Sequence, residues 1–253
     1  MVVSVCFCLG FVYLVYRLQK SLLMRRNSDD ILSPTVVKRV VLWGAVGAPI
    51  LACLVSWTFG EDISSTLNSK ERAVFSSVLF GPFLEELLKG LAVLAMALTL
   101  KTKRVRTFVL IGALTGVGFQ LAEVSLGVLG AAVNGNSDAV GYQLVMRGVV
   151  LSLLHPTCTA LTGLGIGYAV RRVSIILKLI LGCVGFSAAY FLHFWNNAVA
   201  LSINMGERLD QSEFFGVHLV LLMLMMLFSH SRSETPPKQE STPGNFACQV
   251  VAT

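Results

Sequence analysis

The sequence predicts an all-α protein: a polytopic membrane helix bundle of about seven transmembrane helices, with the N-terminus outside and the C-terminus cytoplasmic. Three observations carry this. Of 253 residues, 55% are hydrophobic and only 13% charged, whereas soluble domains are roughly a quarter charged. The mean hydropathy is +0.73, and the apolar residues fall into runs close to the ~20 residues that cross the hydrocarbon core as a helix. Basic residues gather in every second connection between those runs.

Seven runs qualify, at 1–16, 38–59, 74–100, 107–131, 145–170, 174–200 and 214–229. The first lacks the basic leader and small-residue cleavage site of a secretory signal, so it is expected to stay as an anchor. The first connection carries Arg17, Lys20, Arg25, Arg26, Lys38 and Arg39. The third carries Lys101, Lys103, Arg104 and Arg106, and the fifth carries Arg171, Arg172 and Lys178. In the even-numbered connections acidic residues balance the few bases, as with Arg147 beside Asp138 and Arg208 beside Glu207, Asp210 and Glu213. The excess of bases places the odd-numbered connections in the cytoplasm. Residues 1–229 are expected to form one transmembrane domain, and the polar, aperiodic 230–253 a disordered cytoplasmic tail.

The net charge of +6 does not make a nucleic-acid binder. The bases sit at the ends of apolar runs, where they serve topology and anionic headgroups, and no basic patch interleaves with aromatics. The lipid bilayer is the expected partner, in the cell (plasma) membrane. Cys6, Cys8, Cys53, Cys158 and Cys183 lie in apolar runs and Cys248 in the tail, so no loop holds the pair that a disulfide framework needs.

Ionisable residues interrupt four of the runs: Glu85 and Glu86, Glu123, His155 and His193. Hydrocarbon tolerates such groups poorly, so they normally face a protein interior or wet cavity and mark function. Counted at 1.5 Å per residue from the expected outer ends, Glu86 lies roughly 18 Å deep, His155 about 15 Å, Glu123 about 12 Å and His193 about 10 Å. One shared layer in the outer half of the membrane is what a single site requires. Lys89 follows Glu86 by three residues and Glu85 by four, within reach of either carboxylate on one helical face. Asn197 follows His193 by four, where its amide is placed to donate to a developing oxyanion, and Thr159 stands in the same relation to His155. Gly112 with Gly116, and Gly163 with Gly167, have the small-xxx-small spacing that lets helices approach closely.

Glu85-Glu86-Leu87-Leu88-Lys89, Phe119-Gln120-Leu121-Ala122-Glu123, His155 with Thr159, and His193 with Trp195, Asn196 and Asn197 together resemble the four motifs of the PrsW family. That family comprises polytopic intramembrane metalloproteases related to the CAAX prenyl endopeptidases. The resemblance runs over roughly residues 1–200, in order and on successive spans. It implies proteolysis of a single-span membrane protein, such as an anti-sigma factor, on the extracytoplasmic side. It further implies that Glu85 or Glu86 activates water, that His155, His193 and Glu123 form the metal set, and that Asn197 stabilises the oxyanion. Lys89, Thr159 and Phe119 would support them. Zinc is the metal that two imidazoles and a carboxylate suit best; in the prenyl-endopeptidase relatives a metal-free glutamate mechanism is also argued. The family's last motif reads His-x-x-Trp-Asn, whereas here Trp195 comes one residue early.

Other readings stay open on the residues alone. Glu85 and Glu86 suit a structural ion pair with Lys89, and His155 before Pro156 suits a kink. His193 with Asn196 and Asn197 suits polar contact between helices. A proton- or cation-coupled transporter would use the same acids and histidines as a relay, and an inactive scaffold of the same fold would only bind single-span proteins.

Overall fold

The computed structural model describes residues 32–60 and 65–204, together with Gly10, Tyr13, Tyr16, Arg17 and Lys20. The described residues form five long helices and no strand. These are α1 (Pro34–Phe59), α2 (69–99, ending in Gly81–Thr99), α3 (Val105–Val133), α4 (Ser137–Ala169) and α5 (Ile175–Asn204). Four of them, α1, α3, α4 and α5, are long and apolar enough to cross a membrane. The remaining one, α2, interrupts its apolar run with Glu85, Glu86 and Lys89. The five helices correspond to the second to sixth runs expected from the sequence. The expected first span lies almost wholly outside the described residues, and the seventh span and the 230–253 tail lie entirely outside them.

Local signals set the helix ends. Ser33 caps α1, its Oγ accepting from the Val36 amide at 3.4 Å, with Pro34 as the first helical residue. Asn68 and Glu71 cap α2 reciprocally at 2.9 and 3.0 Å, satisfying two otherwise orphaned amides. The α3 helix ends where Gly135 adopts φ 68°, a left-handed conformation that glycine enters without a β-carbon penalty. Asn136 then caps α4 by accepting from Ala139 N at 2.9 Å.

Three helices contain wide π-helical turns, at Trp43–Gly47, Ser56–Gly60, Phe75–Phe80 and Gln143–Val150. Two of them, Trp43–Gly47 and Phe75–Phe80, lie just before a proline, Pro49 and Pro82. A proline offers no amide to the preceding turn and its ring crowds the carbonyl four residues back. The backbone responds by bonding five residues apart, as in Ala48 N to Trp43 O and Gly81 N to Ser76 O. Pro156 does not kink a continuous helix. It sits in the first turn of Leu154–Ala169, after a break at 151–153, where its missing amide costs nothing.

The innermost elements are α3 and α4, with α1 and α5 mostly turned outward. The α3–α4 contact is antiparallel and close: a β-carbon at Gly116 would run into the His155 carbonyl, and one at Gly163 into that of Phe108. The core is built from Val40, Val93, Phe108, Val109, Leu114 and Val117. A β-carbon at Gly167 near the end of α4 would meet Val105 at the start of α3, so the basic α2–α3 and α4–α5 connections lie at the same end of the bundle.

Candidate active site

Four helices meet around a buried cluster. The α2 helix contributes Glu85, Glu86 and Lys89 just after Pro82, and α3 contributes Phe119, Gln120 and Glu123. Arg147, His155 and Thr159 come from α4, and His193, Asn196 and Asn197 from α5. The close glycine contact puts the backbone of His155 against α3 one turn before Gln120, which carries the imidazole to Glu123. On the far side, Trp43 Nε1 donates to Leu88 O at 2.9 Å, tying α1 to the turn of α2 that bears the carboxylates.

Glu86 and Lys89 are fully buried and paired, with Glu86 Oε1 2.6 Å from Lys89 Nζ. Lys89 Nζ also lies 2.9 Å from His155 Nδ1, 4.0 Å from Glu85 Oε2 and 4.4 Å from the centroid of the Phe119 ring. The edge of Phe119 meets His155 at 5.0 Å between centroids. Glu86 Oε1 accepts from His193 Nδ1 at 2.9 Å, and its Oε2 accepts from Thr159 Oγ1 at 3.5 Å. His155 Nε2 meets Glu123 Oε2 at 2.6 Å, and the other oxygen of Glu123 is ion-paired with Arg147.

These contacts fix both imidazole tautomers. A lysine ammonium only donates, so Nδ1 of His155 accepts and Nε2 carries the proton toward Glu123. A carboxylate only accepts, so Nδ1 of His193 carries a proton, and in the neutral ring Nε2 then presents a lone pair. That lone pair faces Glu85 Oε2 at 3.8 Å, and this oxygen is buried without a hydrogen-bond partner among the described residues. Two acceptors facing each other need a shared proton donor or cation between them.

The metal set expected from the sequence was His155, His193 and Glu123. Among the described residues the group whose ligand atoms lie within 4.8 Å of one another is Glu85, His155 and His193, while Glu123 is engaged by both Arg147 and His155. Tetrahedral zinc with bonds of about 2.1 Å holds its ligand atoms roughly 3.4 Å apart, close to the 3.8 Å between Glu85 and His193. The orphaned Glu85 oxygen therefore fits a divalent cation. So does the charge: three carboxylates face two permanent cations, Lys89 and Arg147. His155 would join such a cation only by exchanging its contact with Lys89 or Glu123.

A cavity of about 20 Å³ adjoins the cluster, lined by Gln120, Glu123, Arg147, His155, His193 and Asn196 among others. That is room for about one water. Asn197 also borders it, but its amide donates to Ser77 O of α2 at 2.8 Å, and an oxyanion role requires exchanging that bond. Trp195 is 50% exposed and stays outside the cluster, as its early position in the motif implies.

An all-helical membrane bundle with carboxylates and imidazoles gathered inside it defines the class. Residues 33–229 match the PrsW family intramembrane metalloproteases, and the chain belongs to that family. No curated protein and no solved structure matches it.

Proposed function

We propose that the protein is an intramembrane endopeptidase that hydrolyses a peptide bond of a membrane-anchored, single-span protein near the outer side of the membrane. The observation that carries this reading is the facing pair of acceptors, Glu85 Oε2 and His193 Nε2, 3.8 Å apart. A water molecule is the donor that suits both, and Glu85 is the carboxylate with an oxygen left to take its proton.

Glu85 then removes a proton from water as the oxygen bonds to the substrate carbonyl carbon. The tetrahedral oxyanion is stabilised by Asn197 once its amide leaves Ser77 O. The C–N bond breaks and the proton passes from Glu85 to the leaving nitrogen, giving an amine and a carboxylate. Glu86, whose oxygens are taken by Lys89, His193 and Thr159, holds His193 in the tautomer that points its lone pair at the water. Glu123, fixed by Arg147, does the same for His155. With a divalent cation between Glu85 and His193 instead of water alone, zinc the best match, Glu85, His155 and His193 would be its ligands. When bound it would polarise the carbonyl and acidify water, and the proton would go to a carboxylate other than Glu85.

In this reading the chain crosses the membrane seven times, with its bases on the cytoplasmic side and the cluster in the outer half. Cleavage of single-span peptides by the purified protein in proteoliposomes tests it. Glu85→Gln should abolish cleavage while leaving the melting temperature unchanged, and cleavage retained in that variant would remove the proposal. Uptake of ions without any peptide hydrolysis would favour a transporter.

A further inference from the structure

Two acceptors in the cavity are unused by this chemistry. Gln120 is 6% and Asn196 2% exposed, and both line the cavity. Gln120 Oε1 and Asn196 Oδ1 have no hydrogen-bond partner among the described residues. Their amide orientations are set by their donors. Gln120 Nε2 donates to Arg147 O at 2.8 Å, so turning that amide over would press oxygen against oxygen. Asn196 Nδ2 donates to Asn197 Oδ1 at 3.4 Å, and Asn197 in turn donates to Ser77 O. Both carbonyl oxygens are thus left for an outside partner.

The lining decides the partner's chemistry. An anion would meet these two oxygens and Glu123, and a cation would meet Arg147 in the same wall. A neutral N–H or O–H donor fits. Gln120 precedes Glu123 by three residues and Asn196 follows His193 by three, so each shares a helical face with a group of the cluster. A membrane span must unwind before its peptide bond can be attacked. Its freed amides then have no water at that depth and need acceptors supplied by protein.

We propose that Gln120 and Asn196 bind the substrate main chain, their side-chain oxygens accepting from amides of the unwound segment beside the scissile bond. This rests on the peptidase reading. Water is the other neutral donor, and a peptide must widen this cavity of about 20 Å³ to take its place.

The test uses a pool of synthetic single-span peptides with randomised outer-leaflet residues, incubated with the full-length protein in proteoliposomes, products being identified by mass spectrometry. A cleaved peptide is then remade with an ester replacing one amide at a time around the cut. At one or two positions the ester should raise KM by about tenfold with kcat little changed, as for one hydrogen bond to a buried group. Gln120→Met or Asn196→Leu should raise KM similarly on the amide peptide and be insensitive to the matching ester. Equal cleavage of esters and amides by the wild type, or variants that slow both alike, would overturn the inference and leave the peptidase standing. Folded wild-type protein that cleaves nothing in the pool would overturn both.

Discussion

Lys89 Nζ and His155 Nδ1 lie 2.9 Å apart, both shut away from solvent, on helices 66 residues distant in sequence. The ammonium is shared with Glu86 at 2.6 Å. It acts as a fixed internal cation that selects the His155 tautomer and neutralises the more deeply buried carboxylate. Removing one partner of a buried pair leaves an uncompensated charge and costs about 3–5 kcal/mol. Lys89→Met should therefore lower stability by that order in detergent unfolding. The double variant Lys89→Met/Glu86→Gln should recover much of the loss, since it leaves no unpaired charge. A single variant as stable as the wild type would show that the pair contributes nothing to the fold.

Arg147 holds Glu123, and Glu123 holds His155. Outer partners that orient an imidazole are typically worth about 10–100-fold. Arg147→Ala should reduce kcat/KM for peptide cleavage by that order. Arg147→Lys should restore part of it, because lysine keeps the charge but not the planar fork. Full activity in Arg147→Ala would mean that Glu123 needs no outside anchor.

Gly116 meets the His155 carbonyl, while Gly130 and Gly182 have open space where a β-carbon would go. Gly116→Ala should destabilise by about 1–3 kcal/mol, the usual effect of overpacking, and displace His155 from Glu123. Gly130→Ala and Gly182→Ala should melt like the wild type. Thermal unfolding of the three variants checks this, and an unchanged Gly116→Ala would contradict the close α3–α4 contact.

Bound metal should depend on His193 and Glu85 together. Elemental analysis of purified protein should find close to one zinc per chain, falling to background in Glu85→Ala/His193→Ala. Zinc absent from an active wild-type preparation would point to the metal-free glutamate mechanism.

Much of the bundle and the centre could be read from the chain because both depend on local cost. A carboxylate or imidazole inside an apolar run is expensive wherever it sits, so Glu85, Glu86, Glu123, His155 and His193 stood out one by one. The helical spacing of Glu86 to Lys89 showed which face they shared. The glycines Gly112, Gly116, Gly163 and Gly167 signalled that α3 and α4 each approach a neighbour closely, but not that the neighbour is the other. What escaped was pairing across helices. Glu123 has no base within a turn of it, and Arg147 read as a charge of the outer connection, yet 24 residues later in the chain it is the partner. That pairing occupies one oxygen of Glu123 while the other stays on His155, and Glu85 is the carboxylate that falls with the two imidazoles. The wide turns were hidden for a different reason: a proline signals an interrupted helix but not how the backbone absorbs the interruption. Likewise, the hydrogen bond from Trp43 to Leu88 O has no trace in sequence spacing.

The most direct test of the centre is hydrolysis in oxygen-18 water by wild type and Glu85→Gln side by side in proteoliposomes. The wild-type product should carry one labelled oxygen in its new C-terminal carboxylate, and Glu85→Gln should lower the rate by about 10³-fold or more, with the fold intact by melting. Glu85→Gln that releases labelled product at the wild-type rate would contradict this.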